Sequence, residues 1–73
     1  MMRWISQLVR RTVVVHLVDG QSLRGVMVGE YKDAIVLRHG EYLGRDGITT
    51  VDGEAVVPRE RIGWIQVTGE GMP

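Results

Sequence analysis

The sequence of 73 residues contains no cysteine, which excludes disulfide bonds and thiolate metal sites. Its two histidines, His16 and His39, are too few to complete a zinc site without several well-placed carboxylates. We therefore expect neither a metal ion nor another cofactor. A domain of this length buries only about 60% of the surface that its unfolded chain exposes, so its stability alone is marginal. With disulfides and metal sites excluded, oligomerisation is the remaining way for so short a chain to gain stability, and we expect it.

Net charge and long apolar runs are also missing. Nine basic side chains balance nine acidic ones, whereas domains that grip nucleic acid over their whole surface are usually strongly basic. No apolar run is long enough to cross a membrane. Residues 1–11 have neither a long apolar core nor a small-residue cleavage site, so they do not predict a signal peptide. These features favour a cytoplasmic protein with no membrane partner.

Motifs for catalysis are absent as well. Ser6 and Ser22 do not stand beside a histidine in the manner of an activated nucleophile. His16 alternates with strand valines, which indicates a structural role. Residues 44–47 are glycine-rich but lack the lysine and the following helix of a phosphate-binding loop. We expect that this protein is not an enzyme.

A short amphipathic segment opens the chain. Trp4, Ile5, Leu8 and Val9 recur at the spacing of one helix face. The pattern predicts a helix over about residues 3–11. Because a helix of barely two turns does not persist alone in water, we expect it to lie on the rest of the domain.

From residue 12 onward the apolar period changes to two, which is typical of β-strands. Strands are predicted over residues 12–18, 22–30, 33–43, 48–57 and 62–67. Short turns such as Asp19-Gly20 link them, which favours antiparallel pairing in meander order. A bulge or bend is expected in the fourth strand near Asp52 and Gly53. The prediction is a mainly β protein, with a short N-terminal helix followed by a five-stranded, strongly bent antiparallel barrel.

Two segments resemble the motifs of the Sm-like family, to which the bacterial RNA chaperone Hfq belongs. Residues 13–27 carry alternating apolar side chains, an Asp-Gly turn and a later glycine, and residues 33–37 complete this first motif. Residues 56–65 resemble the second motif. The resemblance covers residues 3–67. It implies one Sm-like domain over 1–73, with a barrel over about 12–67 and a frayed tail over 68–73.

In that family the fourth strand of one subunit pairs with the fifth strand of the next, and rings of six or seven subunits are commonest. The resemblance therefore implies that this chain is its own partner in a homo-oligomeric ring. A ring also satisfies both open edges of a small barrel. Val56, Val57, Ile65 and Val67 would carry the subunit contact. The same side chains can be read as core of one subunit, and some must be both.

The family's usual ligand is single-stranded RNA, often uridine-rich, bound at the pore of the ring. By position, the resemblance assigns RNA contacts to two loops that contain Tyr31, Lys32, Asp33, Pro58, Arg59, Glu60 and Arg61. A tyrosine ring can stack on a base for about 1–3 kcal/mol, and a nearby cation can contact phosphate.

The N-terminal segment adds weaker candidates for the RNA site. Gln7 matches a base-reading glutamine on the Hfq helix, although a solvent-facing glutamine is the simpler interpretation. Arg10 and Arg11 would form a basic collar on the ring or would stabilise the C-terminus of the helix.

The chain departs from the family pattern in the second motif. Pro58-Arg59 replaces an Arg-Gly pair, and the Tyr-Lys-His triplet of Hfq is missing. Glu60 would place one negative charge per subunit near the pore, where it opposes phosphate. Two hypotheses therefore remain: an RNA-binding ring, which is preferred because it is the commonest use of the fold, and a non-enzymatic scaffold ring that binds protein through the hairpin over residues 34–57.

Overall fold

The structure, a computed structural model, describes residues 8–68. Its strands are β1 (Thr12–Leu17), β2 (Ser22–Glu30), β3 (Ala34–Gly44), β4 (Gly47–Thr50), β5 (Glu54–Pro58) and β6 (Ile62–Val67), with a short 3-10 helix (Arg59–Arg61) between β5 and β6. All strand pairs are antiparallel. The prediction of a mainly β, antiparallel protein is confirmed, and the predicted fourth strand is divided into β4 and β5.

The helix predicted over residues 3–11 is wrong. Residues 3–7 lie outside the described residues, and residues 8–10 form a turn. Arg10 has a φ of 76°, in the left-handed region, which a right-handed helix does not accommodate. Its N–H donates to the carbonyl oxygen of Met27 at 2.6 Å, so this amide is hydrogen-bonded to β2 and not to the preceding turn of a helix. Leu8 and Val9 nevertheless pack against the core, as their apolar pattern indicated.

The sheet runs in the order β4-β3-β2-β1-β6, and β5 pairs with the other half of β3. Residues 34–38 of β3 pair with β5, whereas residues 41–44 pair with β4. The division falls at His39, whose φ is 57°, where β3 has an extra residue relative to β2. This bulge bends β3 sharply. The bend, together with the break between β4 and β5, curves the sheet into an open barrel.

Gly25 of β2 lies opposite this bulge and allows the two strands to approach closely. A Cβ atom at Gly25 would lie 3.1 Å from the carbonyl oxygen of Arg38 and 3.3 Å from Cβ of Leu37. Both distances are shorter than most Cβ contacts, so glycine fits this bend better than a residue with a side chain, as its position inside a predicted strand suggested.

The core fills the concave side of the bent sheet. Six buried side chains form it: Val13, Val15, Met27, Ile35, Leu37 and Val57. Within the described part of the chain, every buried side-chain nitrogen or oxygen has a hydrogen-bond partner. No helix among residues 8–68 is long and apolar enough to cross a membrane.

Candidate functional site

The structure brings together the two loops to which the sequence analysis assigned RNA contacts. Ala34 pairs with Pro58 at the end of the β3–β5 ladder, so the turn before β3 and the 3-10 helix after β5 lie side by side. The N–H of Arg59 donates to the carbonyl oxygen of Asp33 at 2.9 Å. Side chains from both segments line one open depression. We call residues 31–33 and 58–61 the rim loops.

Arg59 connects the rim loops to each other. Its guanidinium donates to the carboxylate of Glu30 and, through Nε, to the carbonyl oxygen of Tyr31 at 2.9 Å. The side chain of Arg59 is 18% exposed and that of Glu30 is 25% exposed. Because the carboxylate balances its charge and the contact is mostly shielded from water, Arg59 holds the two loops together and is poorly placed to bind phosphate.

Arg61 is also ion-paired, but at a more open position. Its Nη2 donates to Oδ2 of Asp19 at 2.9 Å, and its carbonyl oxygen accepts a hydrogen bond from the N–H of Val18 at 2.8 Å. Both contacts fasten the 3-10 helix to the turn between β1 and β2. Since the two charged side chains remain 48% and 38% exposed, a phosphate can compete for Arg61 at low cost.

Tyr31 and Lys32 are the accessible members of the predicted site. Tyr31 is 61% exposed, and its ring lies over the backbone of Gly29, where an added Cβ would be 3.2 Å from the ring. Its N–H donates to the carbonyl oxygen of Ala34 at 2.8 Å, which fixes the turn. Lys32 is exposed and takes part in none of the ion pairs among residues 8–68.

The charges around the rim loops sum to a negative value. Three cations and four carboxylates, counting the ion-pair partners of the loops, give a net charge of −1 in each chain: Lys32, Arg59 and Arg61 against Asp19, Glu30, Asp33 and Glu60. Phosphate binding gains from positive charge. The balance at this site therefore gives RNA less electrostatic support than a basic rim would.

The residues predicted at the subunit contact divide between the core and the surface. Val57 is 4% exposed and belongs to the core, and Ile65 packs against the core. Val56 is 65% exposed and Val67 is 39% exposed. Both exposed valines lie on strands with a free side, since among residues 8–68 β5 pairs only with β3 and β6 only with β1.

An aromatic stack on the outer face of the sheet was missed in the sequence analysis. His16 of β1 and Trp64 of β6 are cross-strand partners, and their rings stack with centroids 3.9 Å apart and planes 10° from parallel. Nδ1 of His16 lies 3.0 Å from the hydroxyl of Ser22, so the expectation that Ser22 has no histidine beside it is wrong. Nε2 of the same ring lies 3.2 Å from the amide oxygen of Gln66. Trp64 is still 59% exposed. Strand alternation could have placed both rings outward, but only the pairing of β1 with β6 makes them neighbours.

The remaining candidates contribute little to the described site. Gln7 lies outside the described residues. Arg10 is exposed in the turn that replaces the predicted helix, so the helix-capping interpretation of this residue no longer applies. Within residues 8–68, no three His, Cys, Asp or Glu side chains are grouped so that they could hold a metal ion.

No protein-family model matches the sequence, and no curated protein matches it. Several solved structures are similar in fold. A heptameric archaeal Sm protein is 20% identical, with a TM-score of 0.79 over 89% of this chain and 96% of that chain. The Sm protein of Pyrococcus abyssii, in complex with a uridine heptamer, is 22% identical, with a TM-score of 0.81 over 92% of this chain and 96% of that one.

A chain of the NatC complex bound to CoA is also similar in fold. It is 23% identical, with a TM-score of 0.77 over 88% of this chain and 83% of that one. At these identities the similarity establishes the architecture. The chain therefore has an Sm-like fold, as the resemblance of its two sequence motifs implied.

Proposed function

We propose that this chain assembles into a closed ring in which β5 of one copy pairs with β6 of the next. The observation that carries the proposal is the pair of free strand edges, because each of these strands has a single partner among residues 8–68. Unpaired edges invite association with another chain. Pairing between two different edges of identical subunits closes into a ring when the rotation permits it.

The composition of the two edges supports this assembly. Val56 on β5 and Val67 on β6 are exposed in the single chain and would be shielded from water in the joined sheet. The heptameric archaeal protein of the same fold supports a ring as the form of assembly. A chain this short also gains the stability that its small core does not provide.

We infer that the ring binds single-stranded RNA at its rim loops and has no enzymatic role. Tyr31 offers an exposed ring for stacking, and the adjacent Lys32 offers a cation that is not paired within the described residues. A ring repeats this pair of side chains once per subunit. The uridine heptamer bound to the Pyrococcus abyssii protein supports this class of ligand.

A second candidate is a ring that serves as a scaffold for protein and does not bind RNA. The ion pairs of Arg59 and Arg61 and the net charge of −1 around the rim loops favour it, because they reduce attraction for phosphate. The similar chain in the NatC complex is consistent with such a role.

Two measurements on the full chain test these proposals. Light scattering gives the mass, which we expect to be that of a closed ring. Fluorescence anisotropy with labelled uridine-rich and adenosine-rich RNA, at two salt concentrations, measures binding. We expect salt-sensitive binding that is weakened by Tyr31→Ala and by Lys32→Ala. The controls Tyr42→Ala and Arg45→Ala lie on the β3–β4 hairpin and should leave the affinity unchanged.

Each proposal has its own contrary outcome. A monomeric mass would refute the ring. An intact ring without binding up to about 100 micromolar RNA would refute the RNA proposal, since non-specific sites already reach that range. The protein scaffold would then be the function to pursue.

A further inference from the structure

We propose that the outer face of Trp64 packs on Val56 of the neighbouring copy, so that the subunit interface has an outer apolar layer in addition to its core layer. This inference rests on the proposed ring and names the residues that hold it together.

A bulge in β6 places Trp64 on the outer face of the sheet. Leu17 pairs with Ile62 and His16 with Trp64, so Gly63 is the extra residue. A Cβ at Gly63 would lie 3.0 Å from the carbonyl oxygen of His16, which is closer than most Cβ contacts, so a side chain there would push the two strands apart by a few tenths of an ångström. The bulge turns Ile62 toward the core and leaves Trp64 on the opposite face.

Val56 occupies the corresponding face of β5. Its neighbours Ala55 and Val57 pack in or against the core, and strand alternation therefore directs Val56 outward. Val56 is 65% exposed. The free edge of each strand thus carries one large apolar side chain on the outer face of the sheet, a valine on β5 and a tryptophan on β6.

Joining the two edges produces two apolar layers. On the core side, Ile65 and Val67 of one copy would meet Ala55 and Val57 of the next. On the outer side, Trp64 would meet Val56. Pairs of an aromatic and a β-branched side chain are among the favourable cross-strand neighbours. A second copy of this chain would therefore cover the exposed indole of Trp64 with its Val56.

The contacts of His16 prepare Trp64 for this role. The imidazole covers one face of the indole and is itself held between Ser22 and Gln66. The stack restricts the rotamer of Trp64 before assembly, which reduces the entropy lost when a neighbour covers the other face.

Cysteine cross-linking tests the contact directly, because the natural sequence has no cysteine. The double variant Val56→Cys/Trp64→Cys is treated with a bifunctional maleimide that spans about 7–8 Å, the reach of diagonal cross-strand neighbours. We expect a ladder of covalent oligomers up to the full ring. The control Val56→Cys/Ile48→Cys is matched, since Ile48 and Trp64 are each 59% exposed, and it should not give the ladder.

Tryptophan fluorescence tests the contact without altering it. The variant Trp4→Phe leaves Trp64 as the single tryptophan. We expect blue-shifted emission and weaker acrylamide quenching in the ring than in the same chain carrying Val56→Arg, which opposes assembly with a charge.

The outcomes separate this inference from the ring itself. Three results would overturn the contact without affecting the proposed assembly. They are an intact oligomer that gives no ladder, an equal ladder from the Ile48 control, and an indole of Trp64 that acrylamide quenches as strongly as in the Val56→Arg variant. Quenching of Trp64 by added RNA in an intact ring would show that a base, not a neighbouring copy, covers it. A monomeric mass for the natural chain would overturn both.

Discussion

The guanidinium of Arg59 donates to the carboxylate of Glu30, which stands 29 positions earlier in the chain. The same guanidinium donates to the carbonyl oxygen of Tyr31 at 2.9 Å. These bonds tie the segment after β5 to the end of β2. An arginine that sequence position assigns to RNA is thereby used to shape the loop that displays Tyr31.

Replacement of Arg59 by methionine tests this structural role. We expect Arg59→Met to lower the free energy of unfolding by about 1–3 kcal/mol, because the carboxylate of Glu30 loses its partner while mostly shielded from water. Urea denaturation followed by circular dichroism, at one fixed protein concentration, measures the change.

The matched control is Arg38→Met. Arg38 pairs with Glu54 at 2.6 Å, but the two side chains are 54% and 46% exposed. Exposed ion pairs contribute below about 1 kcal/mol, so this variant should lose less stability. Equal losses of unfolding free energy in the two variants would show that the ion pair of Arg59 with Glu30 contributes no more to stability than an exposed ion pair does.

A second prediction concerns Gly25, which lies at the bend of the barrel. We expect Gly25→Ala to lower the free energy of unfolding by about 1–3 kcal/mol, because the new methyl group would lie 3.1 Å from the carbonyl oxygen of Arg38. In Gly40→Ala, across the same bulge, the nearest atoms are 3.6 and 3.7 Å away, so we expect a small change. Urea denaturation compares the two, and a larger loss from Gly40→Ala would contradict the packing argument.

A third prediction concerns the stack of His16 on Trp64 at the outer face of the sheet. We expect His16→Ala to lower the free energy of unfolding by about 0.5–1.5 kcal/mol through loss of the aromatic pair, in addition to the packing of the ring itself. His16→Phe keeps an aromatic ring beside Trp64 and should recover part of the loss, although it has no hydrogen bonds to offer Ser22 and Gln66. A loss from His16→Phe as large as that from His16→Ala would assign the effect to the hydrogen bonds.

The strands could be predicted because their signals are local. The β-branched run of residues 12–18 and the Asp19-Gly20 turn each specify backbone geometry over a few positions. The N-terminal helix could not be judged in this way. Leu8 and Val9 reach the core from a turn, and the bond from Arg10 to the carbonyl oxygen of Met27 depends on a strand that the local pattern does not contain.

The location of the rim loops could be predicted from the two motifs, but their electrostatics could not. Whether Arg59 and Arg61 are available to a ligand depends on Glu30 and Asp19, which lie on other parts of the chain. The same limit applies to Trp64. Its partner His16 is adjacent only because the last strand pairs with the first.

The last prediction concerns the net negative charge around the rim loops. If the chain forms the proposed RNA-binding ring, we expect Glu60→Gln to increase its affinity for single-stranded RNA, because the substitution removes the excess carboxylate around the rim loops of every copy. Lys32→Ala should have the opposite effect and should reduce the slope of log affinity against log salt by about 0.7 for each phosphate that the lysine neutralises. Anisotropy titrations at several salt concentrations measure both quantities.

The control for Glu60→Gln is Asp52→Asn, which makes the same change in net charge in the exposed loop between β4 and β5. If RNA binds at the rim loops, Glu60→Gln raises the affinity and Asp52→Asn has a smaller effect, since interactions between exposed charges decay within about 10 Å at 0.1 M salt. Equal increases would mean that RNA responds to the total charge of the ring. No increase from Glu60→Gln, with binding otherwise intact, would place the RNA away from the rim loops and would direct attention to the outer face.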